Sequence, residues 1–401
     1  MLRRRMRRSW RSCQKISKWL WSYMVWRILC PLFYRLACRL RSIDPNLIFF
    51  VHDMDFAPGD NFRPVMELLQ SKGFTCAFYG KIKGQGHRLQ QYFNLFRFVW
   101  DYPKARAVFI MEVSQRLDIC KPRKGTEIIQ LWHGCGAFKQ WGYSTIDLAW
   151  GTSASKYKWF PSNRFYTYTS VSAAEVIPHY AEAFNCPATT IHPWGAPRTD
   201  FFFQPGIAEQ CRQQVLEAFP EIAQRKIVIY APTFRGNSLI NSRHDDVLEY
   251  DYMAKKLGES CALLLKPHPR SRKPIPAPAP GETPFLFDAA DMPIERLLCA
   301  ADLVISDYSS LIFEYSLMGR PMLFYPYDLA NYDKTRSFYY PYLDFVPGDL
   351  AWDTEDVADG IRANLFEGKF DAARVEAFRA KFMEACDGKS TERIVKNVLG
   401  A

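Results

Sequence analysis

The stretch Ile305-Ser306-Asp307-Tyr308-Ser309-Ser310-Leu311-Ile312-Phe313-Glu314-Tyr315 joins an apolar run to a helical one through a turn of small hydroxyls, and its reading decides the fold. Leu303 to Ile305 is short, apolar and bounded by polar residues, as a central strand of a parallel sheet is. Ser309 and Ser310 stand where a helix begins. Hydroxyls there cap the first turn, and its unpaired amides, with the positive end of the helix dipole, make a seat for a phosphate. Glu314 lies one helical turn beyond Ser310, which points its carboxylate at the same mouth, within reach of ribose hydroxyls. Taken alone, an ordinary serine-capped helix is the commoner explanation of such a stretch.

Its neighbours shift that balance. Tyr230-Ala231-Pro232-Thr233-Phe234-Arg235 ends one Val/Ile-rich strand and Leu265-Lys266-Pro267-His268-Pro269 ends another. Three strand ends then carry a phosphate-friendly group: Arg235, His268 and Ser309/Ser310. Ligands of parallel sheets sit at those ends. With Leu131-Trp132-His133-Gly134 upstream and Gly319-Arg320-Pro321-Met322-Leu323-Phe324-Tyr325 downstream, the chain resembles the CDP-glycerol glycerophosphotransferases, the primases and polymerases of teichoic acids. The resemblance runs from about Asn46 to the C-terminus, is densest from Ile227 to Tyr340, and rests on the number and order of motifs.

The chain has 401 residues, 48% of them apolar, which suits two α/β domains better than one core. Its net charge of +10 is not spread over the protein. Residues 1–42 hold twelve of the 52 Lys/Arg and none of the 42 Asp/Glu, leaving 40 bases against 42 acids in the remainder. So neutral a body argues against a nucleic-acid partner. Eleven cysteines without a CxxC pair fit a reducing compartment and small-hydrophobe packing, and give no zinc site.

Residues 1–42 read as a basic amphipathic helix lying on an anionic membrane surface. Arg3, Arg7, Arg11, Lys15 and Lys18 recur at helical spacing, and Trp19, Trp21 and Trp26 are interface-seeking side chains. The uncharged runs Trp19 to Trp26 and Ile28 to Tyr34 are split by Arg27, too short for the ~20 residues of a bilayer span. No small-x-small cleavage site follows them.

From Asn46 strands and helices alternate. Leu47 to Val51, Thr75 to Tyr79, Ala107 to Met111, Glu127 to Leu131, Thr167 to Ser170 and Thr189 to His192 are the expected strands of a first domain, 46–204, with helices such as Phe62 to Lys72 and Ala173 to Phe184 between them. Asp53-Met54-Asp55 invites a metal-binding reading, but no third ligand is apparent and an acidic pair in such a loop is commonly solvated or capping. Asp60-Asn61 reads as the cap of the next helix. His133 follows a strand and precedes a glycine-rich turn, which leaves its imidazole facing the cleft. In the second domain, 205–401, the expected strands are Val228 to Tyr230, Ala262 to Leu265, Phe285 to Phe287, Leu303 to Ile305 and Met322 to Tyr325. Arg270 to Pro280 is a Pro-rich excursion, and helices close the chain.

The resemblance implies a GT-B enzyme, two Rossmann-like domains facing across a cleft, on the cytoplasmic face of the membrane. An acceptor hydroxyl of a lipid-linked chain attacks the alditol-bearing phosphorus of CDP-glycerol, or of CDP-ribitol, and CMP leaves. It further implies His133 as base and His268 at the diphosphate, with Lys266, Asp307, Ser309, Ser310, Glu314, Arg235 and Arg336 holding phosphates and ribose. Gly134 and Lys139 fall on the acceptor side, and neither metal nor cofactor is called for. An imidazole near its ordinary pKa of ~6.5 suits a base. The chain departs from the family at Phe234 (commonly Trp), Glu314 (Asp), Ser337 (Gly) and Cys135-Gly136-Ala137 (Thr-Pro-Leu), which leaves acceptor and alditol open. A nucleotide-sugar glycosyltransferase of the same fold and a membrane-surface binding protein with a dead site are the other classes.

Overall fold

Runs of branched and aromatic residues, each closed by a turn, assemble into two sheets. The computed structural model describes residues 20–21, 23–53, 61–80, 88–233, 235, 247–267 and 284–401. The first sheet comprises β1 (Asp44–His52), β2 (Thr75–Gly80), β3 (Ala105–Ile110), β4 (Glu127–Gln130), β5 (Tyr168–Ser170) and β6 (Ile191–His192), in the order β2-β1-β3-β4-β5-β6. The second comprises β7 (Lys226–Ala231), β8 (Cys261–Leu265), β9 (Leu286–Asp288), β10 (Leu303–Ser306), β11 (Met322–Phe324) and β12 (Asp349–Leu350), in the order β12-β11-β10-β7-β8-β9. All their pairings are parallel. The two expected Rossmann-like domains are present. Each strand order reverses once, between β1 and β3 and between β7 and β10, and such a switch point opens a crevice at the carboxyl ends of the strands.

Ile48–Val51, Ile227–Tyr230 and Leu303–Ile305 are buried on both faces, the consequence of helices covering both sides of each sheet. At the edges the sequence pattern misleads. Ala188–Thr190 forms a 3-10 turn, so β6 is only two residues long. The helix expected from Ala173 begins at Ile177 after a 3-10 turn at Ala174–Val176, because Pro178 is tolerated only in a first helical turn.

Two expected domain limits need correction. Residues 1–42 are not one separable segment. Val25, Cys30, Tyr34 and Ala37 are buried, and the first three join Phe98 and Tyr102 in the core beneath the first sheet. Phe33 stacks on Trp100 with ring centroids 5.0 Å apart, so helix Cys30–Leu40 docks on helix Arg88–Asp101. The assignment of all of 205–401 to the second domain fails at its end: Ile394, Val395 and Val398 of helix Ser390–Leu399 lie in the core on the other face of the first sheet, with Ile48, Phe50 and Phe62. Three such side chains contribute roughly 1.5–3 kcal/mol each when removed from water, so the chain gains by crossing back. Among the described residues no helix is long and apolar enough to cross a membrane.

Candidate functional site

At the switch point of the second sheet, Asp307 is fully buried just past β10. It accepts from the Thr233 amide (2.9 Å) and hydroxyl (2.7 Å) past β7, and from Arg235 Nη1 (2.9 Å). Arg235 also donates through Nε (2.7 Å) and Nη2 (2.9 Å) to the two carboxylate oxygens of Asp328. Its guanidinium carbon lies 5.1, 4.9 and 5.1 Å from the rings of Tyr308, Tyr327 and Tyr332. Burial alone would lower the Arg235 pKa; the Asp328 and Asp307 carboxylates overcome it and hold the pKa raised. The expectation of a guanidinium free for the donor phosphates therefore needs correction. Arg235 and Asp307 bind the strand ends to each other, since a buried charge persists only where it is paired. Lys266 is likewise occupied, donating through Nζ to the carbonyls of Ala290 (2.6 Å) and Met292.

The turn itself differs in detail from the expected cap. Ser310 makes no side-chain capping bond to helix Leu311–Ser316; the Ser309 hydroxyl accepts weakly from the Leu311 amide at 3.4 Å. Ser310 is exposed toward the first domain. Glu314, only 4% exposed, accepts from Arg198 through Oε1, while its Oε2 is buried without a hydrogen-bond partner. The ribose reach expected of Glu314 is thus shared with an ion pair to the first domain.

His133 follows β4 and comes opposite that turn. A Cβ placed on Gly134 would lie 3.9 Å from the Ser310 hydroxyl, and one on Gly136 (φ +64°) would lie 2.1 Å from the Phe313 ring. The contact at Gly134 is an ordinary one, but at Gly136 only glycine allows the first-domain turn to sit this close to the second-domain helix. The His133 ring is 51% exposed, with Nδ1 3.7 Å from Glu112 Oε1 past β3. Loss of water around the ring, then the Arg198 charge, lowers its pKa to about 4, with a backbone contact to Met111 pulling the other way. The expected ordinary imidazole is corrected to one that is neutral far below pH 7. Burial also raises the Glu112 carboxyl, with Asp53 adding to it and His52 opposing.

Lys139 and Arg336 close the mouth. Lys139 sits against the Tyr332 ring (5.4 Å) and Arg336 against Trp150 (5.5 Å), and among the described residues neither forms a salt bridge. Burial lowers the Lys139 pKa to about 8; Asp307 opposes this, and Arg336 and Arg235 add to it. The segment carrying Arg336 returns to the cleft as expected: Gln140 donates to the Ser337 carbonyl and Tyr339 to that of Phe138, each at 2.9 Å. Asp53 accepts from Ser114 (2.8 Å) and from Arg116. His268, Phe234 and Asp55 lie outside the described residues.

Residue patterns passed over Glu112; they set Arg198 at the cleft floor and Asp328 in the segment that returns to the cleft, with no partner named for either. Glu112 was findable, being the first acid past a strand's carboxyl end. Arg198 and Asp328 carry no signal of partners 116 and 93 residues away.

The family model of the CDP-glycerol:poly(glycerophosphate) glycerophosphotransferases matches residues 32–400. The chain belongs to this family. It is a glycerophosphotransferase-family member 34% identical to a teichoic acid ribitol-phosphate primase of Bacillus spizizenii, over 90% of this chain and 92% of that one. It is also 26% identical to a teichoic acid glycerol-phosphate primase of Bacillus subtilis, over 69% of each. The solved structure of the wall teichoic acid polymerase TagF superposes with a TM-score of 0.74 over 94% of both chains at 19% identity, which gives this family member the GT-B fold. In that fold the candidate site sets the His133 imidazole on one wall against the Ser309 and Ser310 hydroxyls on the other, with Lys139 and Arg336, without salt bridges among the described residues, beside them. Such a set can take a proton from a hydroxyl and hold a phosphate beside it.

Proposed function

We propose that the protein transfers an alditol phosphate from a CDP-alditol to a hydroxyl of a membrane-linked acceptor. The acceptor oxygen attacks the alditol-bearing phosphorus, a P–O bond forms, the bond to the bridging oxygen of the diphosphate breaks with its electron pair going to CMP, and His133 takes the acceptor's proton. The observation that supports this reading is the approach of the His133-Gly134 turn of one domain to Ser310 of the other, where a base would face phosphate-holding groups. Lys139, Arg336, Ser309 and Ser310 would hold the diphosphate; preorganised positive charge stabilises charge passing to CMP. Arg235 and Asp307 would keep that wall rigid, and Glu314 Oε2 would accept a ribose hydroxyl.

The alditol we infer is ribitol, supported by the 34% identity to a ribitol-phosphate primase. Glycerol is the second reading, supported by the family model's own description. We further infer work at an anionic membrane surface on the cytoplasmic side. Leu29, Leu32, Leu36 and Leu40 are 38%, 55%, 47% and 65% exposed, forming one stripe at helical spacing beside exposed Arg35 and Arg39. The test is purified protein with CDP-ribitol and CDP-glycerol side by side, each with a panel of lipid-linked acceptors and CMP as the readout. Turnover of CDP-ribitol in excess supports the reading; preference for CDP-glycerol selects the second. Consumption of UDP-sugars with neither CDP-alditol used would move the protein to the glycosyltransferases.

A further inference from the structure

The residue before His133 has an unusual backbone. Trp132 has φ +54°, in the left-handed region that large L-residues avoid unless neighbours impose it. Two side chains impose it here. Gln130 Oε1 accepts from the Trp132 amide at 2.8 Å, and Asn61 Nδ2 donates to the Trp132 carbonyl at 2.7 Å while lying 3.4 Å from that of Leu131. The direction of the His133 side chain is set by that peptide, so whatever holds it aims the imidazole.

Asn61 stands at the start of helix Phe62–Ser71 and was expected to cap it, yet it makes no side-chain capping bond. It is 1% exposed, and its polar atoms go elsewhere: Nδ2 to the turn past β4, and Oδ1 to the amide of Arg198, accepting at 2.8 Å. The Arg198 guanidinium in turn pairs with Glu314 on the second domain. One buried amide therefore holds the His133 turn and the anchor of the interdomain ion pair at once. A cap would have satisfied Asn61 locally; a buried amide spent on two remote turns fixes their relative position.

We propose that Asn61 is a positioning residue for His133, fixing the left-handed Trp132 peptide and tying it through Arg198 to Glu314, so that turnover depends on it although it touches no substrate. This rests on the reading of His133 as the base. The groups facing His133 that its titration reports are Glu112, Arg198 and His52.

The experiment compares the full chain with Asn61→Asp and Asn61→Ala. Asp is isosteric and keeps the acceptor for the Arg198 amide, but turns an oxygen on the Trp132 carbonyl in place of the donor. Four quantities are read: melting by circular dichroism, CMP affinity by calorimetry, turnover of CDP-ribitol and CDP-glycerol, and the His133 titration by NMR, assigned by its loss in His133→Gln. Expected are folded variants with CMP affinity within about threefold of wild type, turnover lowered ~10- to 100-fold, and a His133 titration displaced upward, further in Asp than in Ala. A folded variant with wild-type turnover and an unmoved His133 titration overturns the proposal. So does unfolding of both variants, which would make the bracket structural only; if one unfolds, the other decides. Should wild type consume neither CDP-alditol, the functional reading fails, while the His133 titration still decides the role of Asn61.

Discussion

His133 and Arg235 are both cleft residues with shifted pKa values, and their surroundings assign them opposite duties. His133 is half exposed and held neutral, with its pKa lowered to about 4, so it has a lone pair for an acceptor proton throughout the neutral range. His133→Ala should lower turnover by the ~10²- to 10⁴-fold of a lost general base and leave CMP affinity nearly unchanged. Because the pKa is lowered, the acid limb of kcat/KM should fall near pH 4 to 5 rather than at the ordinary ~6.5 of histidine. A limb at 6.5, read from the pH dependence of initial rates, would contradict the lowered pKa; a limb that persists unchanged in the residual activity of His133→Ala would contradict the assignment. Arg235 is buried between two carboxylates. Arg235→Ala leaves Asp307 and Asp328 unpaired and should cost about 3–5 kcal/mol of stability, visible in urea unfolding. A stable, merely weak-binding variant would return Arg235 to the phosphates.

Two elements carry the remaining charge. The segment from Gly134 to Lys139 meets the one carrying Arg336 through the bridge between Lys139 and Phe338. Lys139, with a pKa lowered to about 8, is partly deprotonated just above that pH in the free protein. An anionic diphosphate raises the pKa again, so ligand binding near pH 8 should take up a fraction of a proton, and at pH 6.5 almost none. Calorimetry of CMP and CDP in buffers of different ionisation enthalpy measures this, and Lys139→Met should abolish it. At the chain's start, deletion of 1–19 should weaken sedimentation with anionic vesicles, since eight Lys/Arg at about 1 kcal/mol each near such a surface are lost. Deletion of 1–42 should destabilise the first domain as well, because it removes Val25, Cys30 and Tyr34 from the core. Equal melting temperatures for the two truncations would refute that distinction.

At the scale of the whole molecule the two domains share an apolar core at the back of the cleft. The ring of Phe138 of the first has its centroid 5.1 Å from those of Phe345 and Phe338 and 6.4 Å from that of Phe313, all three of the second. The Arg198–Glu314 ion pair and the backbone hydrogen bonds from Gln140 to Ser337 and from Tyr339 to Phe138 join that packing in setting the cleft walls. Of the two carboxylates that invited a metal reading, Asp53 accepts from Arg116 and Ser114. Turnover is therefore expected to survive EDTA. Loss restored by Mg²⁺ would show that Asp53 exchanges its partners for a metal ion.

Sequence alone determined the two parallel sheets and the turns that end their strands, because period, turn residues and strand-end motifs are local and each names its own neighbourhood; that the His133 and Ser310 turns face each other was implied only by the resemblance. It could not decide which of those side chains are free. Arg235, Lys266 and Asp307 look like ligand groups until the fold brings Asp328, two carbonyls and Thr233 against them. Asn61 looks like a cap until Trp132 and Arg198 arrive, and the last helix looks like part of the second domain until it covers the first sheet. A side chain's chemistry is written in the residue, but its availability depends on partners remote in the chain, and only the tertiary structure supplies those.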